Sequence, residues 1–387
     1  MKIVHIITRL ILGGAQENTL ITCTELAARG HDVTLITGPA IGPEGGLFAQ
    51  TENTNFKTIV IDSLRREINP LIDIPAYQQL KKLLAKIAPD IVHTHSAKAG
   101  ILGRFAAANI SPEHKPKIIH SVHGLSFHEY QNNLLNKFYI AVEKVAAKKT
   151  DAFICVADEM TKKSLAVGIG EPEQYTTAYS AIDVDAFSTP LPAGQISDFR
   201  KKYDIAPDAT IIVTIARLFN LKGHEYIIES AKTLAKEHPN LIWLFVGDGI
   251  LKQKLKNQIA DAGLEKNFRF TGLLPTTDMP LVLQASDILV HCSLREGLAR
   301  VLPQALAAGK PAISFDIDGA KEVINNTTGR LVEPKNIEQL ISTCTQLIEN
   351  KVLQDQLGRM GQELIKQKFT PQTMVDVVEG LCIRLLY

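Results

Sequence analysis

KIVHIIT (2–8), LGGAQ (12–16), NTLITCTELAARG (18–30) and DVTLIT (32–37) open the chain, and their order decides the fold. The first and last stretches are short, apolar and β-branched, as buried strands are. The third carries apolar residues at helical spacing and closes on Gly30. Paired glycines lie between strand and helix. Strand, Gly-containing loop, helix, strand is a βαβ unit with parallel strands. The unit returns as IIVTIARL (211–218), FNLKG (219–223), HEYIIESAKTLAKEH (224–238) and LIWLFVG (241–247), with Arg9–Leu10 falling over Arg217–Leu218. Two halves that both begin this way predict two doubly wound parallel sheets. DIVHTH, KIIHSVHG and DAFICVA add strands to the first, and FRFTG, DILVHCS and PAISF to the second.

This pattern sets a first domain at 1–187 and a second at 188–370. The linker is expected over 186–196, where STPLPAGQI gathers Pro, Gly and Ser. The amphipathic segment 371–387 is expected to return as a helix that completes the first domain. Two such sheets turn their strand C-terminal ends toward a central cleft, where a ligand belongs.

Composition removes other classes. The chain has 387 residues, 45% apolar and 21% charged, with a formal net charge of +1. That balance argues against a nucleic-acid partner. Five scattered cysteines without CxxC spacing read as reduced thiols of a cytoplasmic protein. The N-terminal MKIVHIITRL is interrupted by Arg9 and lacks a cleavage site, so it reads as a strand rather than a signal peptide. No apolar run approaches the roughly 20 residues of a membrane span.

The loops expected at the cleft carry the chemistry. In SLREGLARVLPQALAAGKPAIS (293–314), Pro303 fits only a first helical turn, so Gly297, Leu298, Ala299, Arg300 and Val301 are placed at a helix N-terminus, a ready anion site. Glu296 precedes them and Gln304 lies one turn inside; taken alone, a polar loop and a solvent-facing Gln explain the pattern equally well. Arg217 and Lys222 share a loop with Gly223, and two cations there suit a diphosphate. Gly13–Gly14 permit close backbone approach but do not form GxGxxG, so the dinucleotide fingerprint is absent. His93, His95, His120, His123 and His128 gather near strand ends. No familiar ligand spacing accompanies them, so no metal is expected. His123, before Gly124, is the one placed to reach a ligand; His120 reads as a core or supporting residue. Asp316 and Asp318 form a DID that leads into a loop and a helix start, not a metal site.

Taken in order, LGGAQ, HTHSAKAGILGR (93–104), HSVHG (120–124), ARLFNLKG (216–223), VGDG (246–249), FTGLLP (270–275) and EGLARVLPQALAAGKP (296–311) resemble the large family of retaining glycosyltransferases with the GT-B fold, the bacterial lipopolysaccharide, capsule and lipid type related to glycosyltransferase family 4. The resemblance implies two Rossmann-like domains facing a cleft. It also implies transfer of a sugar from a nucleoside diphosphate donor with retained configuration and without a metal. It assigns the diphosphate to Arg217 and Lys222, sugar hydroxyls to Glu296 with the amides after it, and the ribose to Gln304. Leu274 meets the base through backbone, Gly247 lines the nucleotide site, and Gly13, Gly14 and His123 stand near the diphosphate and reacting carbon. Gln304 departs from the family, which usually has Glu there. A carboxamide can still accept from one ribose hydroxyl and donate to the other. UDP-sugars are the first expectation for the donor and GDP-mannose the second.

Residues 57–149 hold 14 Lys/Arg against 7 Asp/Glu. Lys81, Lys82 and Lys86 lie on one amphipathic stretch, and Lys137, Lys144, Lys148 and Lys149 on another. Solvated helix faces would explain them; so would a first domain resting on the anionic inner face of a membrane, where a glycan or lipid-linked acceptor resides. A sugar-nucleotide epimerase on the same fold and a non-catalytic sugar-nucleotide-binding module stay open as alternatives. The first would need further acid/base carboxylates, and the second sits poorly with intact Glu296, Arg217 and Lys222.

Overall fold

A computed structural model of the chain describes residues 1–40, 46–52, 54–110 and 115–387. They form two compact units, Met1–Ala181 with Pro371–Tyr387, and Ile182–Thr370.

The first unit holds seven strands: β1 (Lys2–Ile7), β2 (Asp32–Thr37), β3 (Lys57–Val60), β4 (Ile91–His95), β5 (Lys117–Val122), β6 (Ala152–Cys155) and β7 (Tyr175–Thr177). They pair in parallel in the order β3-β2-β1-β4-β5-β6-β7. Alternate residues of β1 feed opposite faces, as strand geometry requires. Ile3 and Ile7 pack under Leu20, Cys23 and Leu26 of the helix Gly14–Ala28. Val4 and Ile6 pack with Leu80 and Leu84 of the helix Pro70–Ile87 and with Ala99 and Ala106 of the helix Ala97–Ala108. The C-terminal helix Pro371–Leu386 joins the first of these layers through Met374, Val375, Val378 and Leu381. Arg29 fixes it in place, 2.6 Å from Glu379 and 2.8 Å from Asp376.

The second unit holds β8 (Thr210–Ile215), β9 (Leu241–Val246), β10 (Phe268–Gly272), β11 (Ile288–His291), β12 (Ala312–Phe315) and β13 (Gly329–Val332), parallel in the order β10-β9-β8-β11-β12-β13. Every residue of β9, LIWLFV, is buried, as expected of a strand covered on both faces.

The division differs from the sequence expectation. The break falls at Ala181/Ile182, not after 187, and the stretch 186–196 belongs to the second unit rather than to a linker. Asp183 caps a short helix, Val184–Ser188, whose Val184 and Phe187 are buried. The Gln284 amide then binds the carbonyls of Phe187 and Thr189 and the N–H of Leu191 at 2.8–3.0 Å. Pro192 does not extend a loop: it precedes the helix Ala193–Lys202.

Candidate functional site

Both sheets reverse their winding next to a central strand. In the second, the reversal falls between β8 and β11, which are paired neighbours. Loops leaving the C-terminal ends of two such strands diverge and leave a crevice. Here those loops carry Arg217–Gly223 and Cys292–Arg300. The fold thus brings together side chains 74 residues apart in sequence: Lys222 Nζ lies 2.5 Å from Glu296 Oε1, each side chain 20% exposed.

Backbone contacts lock the two loops. Leu294 N–H and Ser293 Oγ donate to the carbonyl of Leu221, at 2.8 and 3.0 Å. Gly223 has φ +73°, and a Cβ there would stand 1.9 Å from the carbonyl oxygen of Cys292. No other residue allows this approach. Gly247, after β9, is similar: φ is +137°, and a Cβ would meet the carbonyl of Ala216 at 2.2 Å, immediately before Arg217.

Burial alone would raise the Glu296 carboxyl, but Lys222 and His291 outweigh it and hold the group well below the usual carboxylate range. His291 Nε2 is 3.5 Å from the same Oε1. Sequence reading missed His291; as the last residue of an apolar strand it gave no separate signal. The Glu296 N–H donates to Asp318 Oδ2 at 2.7 Å, so one carboxylate of the DID is occupied in shaping this loop.

The helix after the loop begins at Val301, as its sequence predicts, and residues 297–300 are loop leading into it. Gly297, Leu298, Ala299 and Val301 are buried, yet their N–H groups find no backbone acceptor among the described residues. Pro303 sits in the first turn as expected. Gln304 is half-buried rather than solvent-facing. Arg217 is exposed, its guanidinium 5.1 Å from the centre of the Phe219 ring. Leu274 lies half-buried in the loop after β10. Among the described residues, no hydrogen bond joins Leu274 or Gln304 to the Lys222–Glu296 pair.

In the first unit the reversal lies between β1 and β4. The Thr8 and Ser96 hydroxyls are 2.7 Å apart there, Ser96 in a left-handed conformation. A cavity of about 470 Å³ opens beside them. Its walls carry Arg9, Arg66 and Lys98 together with Asp73 and Glu143, Lys98 being paired with Asp73 at 2.5 Å, and Ile68, Ile101 and Phe138 add apolar surface. Gly13 is extended and Gly14 begins the first helix, so neither glycine is demanded by a left-handed backbone. His123 Nε2 is 3.0 Å from His95 Nδ1. His120 is buried and bonded to Thr94 Oγ1, a supporting position. The HxH pair also has a third companion the motif does not show, His5, and the three rings each place a nitrogen within 4.8 Å of the others.

Known proteins resemble the chain over its whole length. Residues 12–186 match the Glycosyltransferase Family 4 model, and residues 195–364 the Glycosyl transferases group 1 model. The chain is 28% identical to the Escherichia coli UDP-Gal:alpha-D-GlcNAc-diphosphoundecaprenol alpha-1,3-galactosyltransferase, over 100% of this chain and 97% of that one. It is 22% identical to the Staphylococcus aureus capsular polysaccharide biosynthesis glycosyltransferase CapM, over 82% and 83%. Among solved structures, Anabaena HepE in complex with UDP and glucose superposes with a TM-score of 0.83 at 19% identity, covering 98% of this chain and 99% of that one. WaaG, a glycosyltransferase involved in lipopolysaccharide biosynthesis, gives 0.77 at 18% identity, covering 98% and 100%. The architecture is therefore GT-B.

Proposed function

The chain belongs to the glycosyltransferases that join a family 4 domain to a group 1 domain, and on that premise we propose that it moves a sugar from a UDP-sugar to a glycan carried on a lipid diphosphate, with retained configuration and without a metal ion. The observation that carries the reading is the Lys222–Glu296 pair at the switch point of the second sheet, beside buried amides without backbone acceptors. These are a cation for a diphosphate, a permanent carboxylate for sugar hydroxyls, and donors for phosphate oxygens.

In the reaction the bond from the anomeric carbon to the diphosphate breaks, and the acceptor oxygen bonds to that carbon on the same face. The acceptor proton passes to the leaving phosphate. Charge grows on the diphosphate as the bond stretches. Lys222, Arg217 and the loop amides stabilise it, which is the role a metal takes elsewhere.

The first-unit cavity suits the acceptor: Arg9 and Arg66 for the lipid-linked diphosphate and apolar walls for the start of the lipid. Around it the surface is unusual for a soluble protein. Leu134, Phe138 and Val145 are 77%, 52% and 52% exposed on the helix Asn133–Ala147, among exposed Lys137, Lys144 and Lys148. Apolar and basic side chains interleaved on one face suit an anionic lipid surface. Among the described residues no helix is long and apolar enough to cross a membrane, so contact would be peripheral.

The test is transfer from UDP-galactose to a synthetic GlcNAc-diphospholipid, with the product linkage read by NMR and a parallel assay in EDTA. An α-linked product formed equally well in EDTA is expected. A β-linked product would overturn retention, and activity lost in EDTA and restored by Mn²⁺ would overturn metal independence. Release of no nucleoside diphosphate from any UDP- or GDP-sugar would return the chain to a binding module.

Gln304 tests the nucleotide end. A lost uncharged hydrogen bond is worth about 0.5–1.5 kcal/mol, so Gln304→Ala raises the donor KM by up to about tenfold and leaves kcat nearly unchanged. Gln304→Glu stays active. Steady-state kinetics with varied donor decide it; a collapse of kcat at saturating donor would give Gln304 a part in the chemical step instead.

A further inference from the structure

Two carboxylates stand in the wall of the first-unit cavity, and the fold uses them differently. Asp73 is engaged in structure. One of its oxygens pairs with Lys98, and the other accepts the Asn69 N–H at 3.1 Å at the start of the helix Pro70–Ile87. Lys98 also donates to the carbonyl of Glu67, so this pair has little capacity left for a ligand.

Glu143 is different. On the helix Asn133–Ala147, Tyr139, Val142 and Glu143 fall at i, i+3 and i+4, which is one face, and all three line the cavity. Arg104 Nη2 donates to Glu143 Oε2 at 2.6 Å, and among the described residues no other hydrogen bond reaches this carboxylate. An ionised carboxylate offers about four acceptor sites, so most of them remain. Arg104 is 0% exposed and Glu143 13%. The Arg104 Nε donates to the carbonyl of Gly100 at 2.9 Å, while Nη1 is buried without a partner. Burying a guanidinium is costly, and one carboxylate does not offset it unless the remaining N–H groups are satisfied. Apolar residues of similar volume would join these two helices at least as well. The pair therefore gives the fold little. What it does give is a carboxylate of fixed position at the cavity surface.

A pyranose has an apolar C–H face and a rim of hydroxyls. An aromatic ring matches the face, and a group that only accepts matches the rim. Phosphate needs donors and cations instead. Those lie elsewhere: Arg9 and Arg66 also line a neighbouring cavity of about 270 Å³, with Arg65 and Glu67, which Glu143 does not reach. We propose that Glu143 is the specificity-determining residue for the acceptor's sugar. It accepts from the hydroxyls of a pyranose laid against Tyr139, and Arg104 is the residue that positions it. That this sugar belongs to an acceptor rests on the transfer reading above; the sugar site itself does not.

The experiment is calorimetric titration of the full chain with short-chain lipid diphosphates bearing GlcNAc, glucose, galactose or no sugar, and with analogues of the tightest that each lack one hydroxyl. Binding needs no turnover, so failure here and failure of the transfer reading are distinguishable. With the wild-type protein, one sugar-bearing lipid is expected to bind at least about tenfold tighter than the sugar-free one, and loss of one particular hydroxyl to remove most of that gain. Equal affinity for all four lipids would overturn the proposal, and this arm requires no variant to fold. Glu143→Gln is expected to weaken the sugar-bearing lipid about 10- to 100-fold and to make the deoxy analogues equivalent. A Glu143→Gln protein of lower Tm that still binds and discriminates like wild type would reduce the residue to a structural ion pair. Arg104→Met is expected to blunt the discrimination and Arg104→Lys to keep it; full discrimination in folded Arg104→Met would overturn its positioning role. Discrimination by a protein that releases no nucleoside diphosphate from any donor would keep the site and discard the transfer reading.

Discussion

Replacing Lys222 with Ala is expected to lower kcat by about 10²–10³ at saturating donor. Two losses act together. The first is the cation facing a diphosphate whose charge grows in the transition state, a loss that falls on turnover rather than on binding. The second is local: Lys222 Nζ is the 2.5 Å partner of Glu296, and its removal leaves that carboxylate with His291 at 3.5 Å. A largely buried charge without its partner destabilises its surroundings, so Tm falls as well. Arg217→Ala separates the two effects. Arg217 is exposed and lies over the Phe219 ring, so its loss is expected to lower kcat with a smaller fall in Tm than Lys222→Ala. Lys222→Ala with wild-type turnover would place the diphosphate elsewhere.

The elements of this site were legible in the sequence, and their meeting was not. RL-x3-KG and EGLARV each read as a loop after a strand, from the apolar runs before them. That they share one crevice follows from β8 lying beside β11, a sheet order that no local pattern encodes. His291 and His5 were hidden for a related reason: inside DILVHCS and KIVHIIT a histidine reads as one more strand residue, and its partners are set by strand register. The edge strands β3, β7 and β13 also escaped notice, since edges are short and half-exposed and lack the long apolar signature of central strands. The linker expectation failed because STPLPAGQI has the composition of a loop. What overrides composition is tertiary: a cap from Asp183 and the hydrogen bonds of Gln284, far along the chain.

Glu296→Gln should lower kcat/KM for the UDP-sugar by about 10- to 100-fold, the range of a charge-assisted hydrogen bond, and so exceed the effect of Gln304→Ala. The substitution keeps the shape and removes only the charge, which is why its signature is divided. Lys222 loses its carboxylate partner and becomes more available to phosphate, so free UDP binds as tightly as before or tighter. The UDP-sugar, whose hydroxyls lose an ionised acceptor, turns over poorly. Acid cannot imitate this variant near neutrality. The folded carboxyl is held below its ordinary value of 4.5; such a group contributes stability above its unfolded value and loses it only as pH falls below that value. The Tm difference between wild type and Glu296→Gln should therefore stay constant from about pH 5 to 8 and close below about pH 4. Calorimetric titration with UDP and kinetics with the UDP-sugar distinguish the outcomes. Equal weakening toward both ligands would mean that Glu296 shapes the phosphate site rather than meeting the sugar.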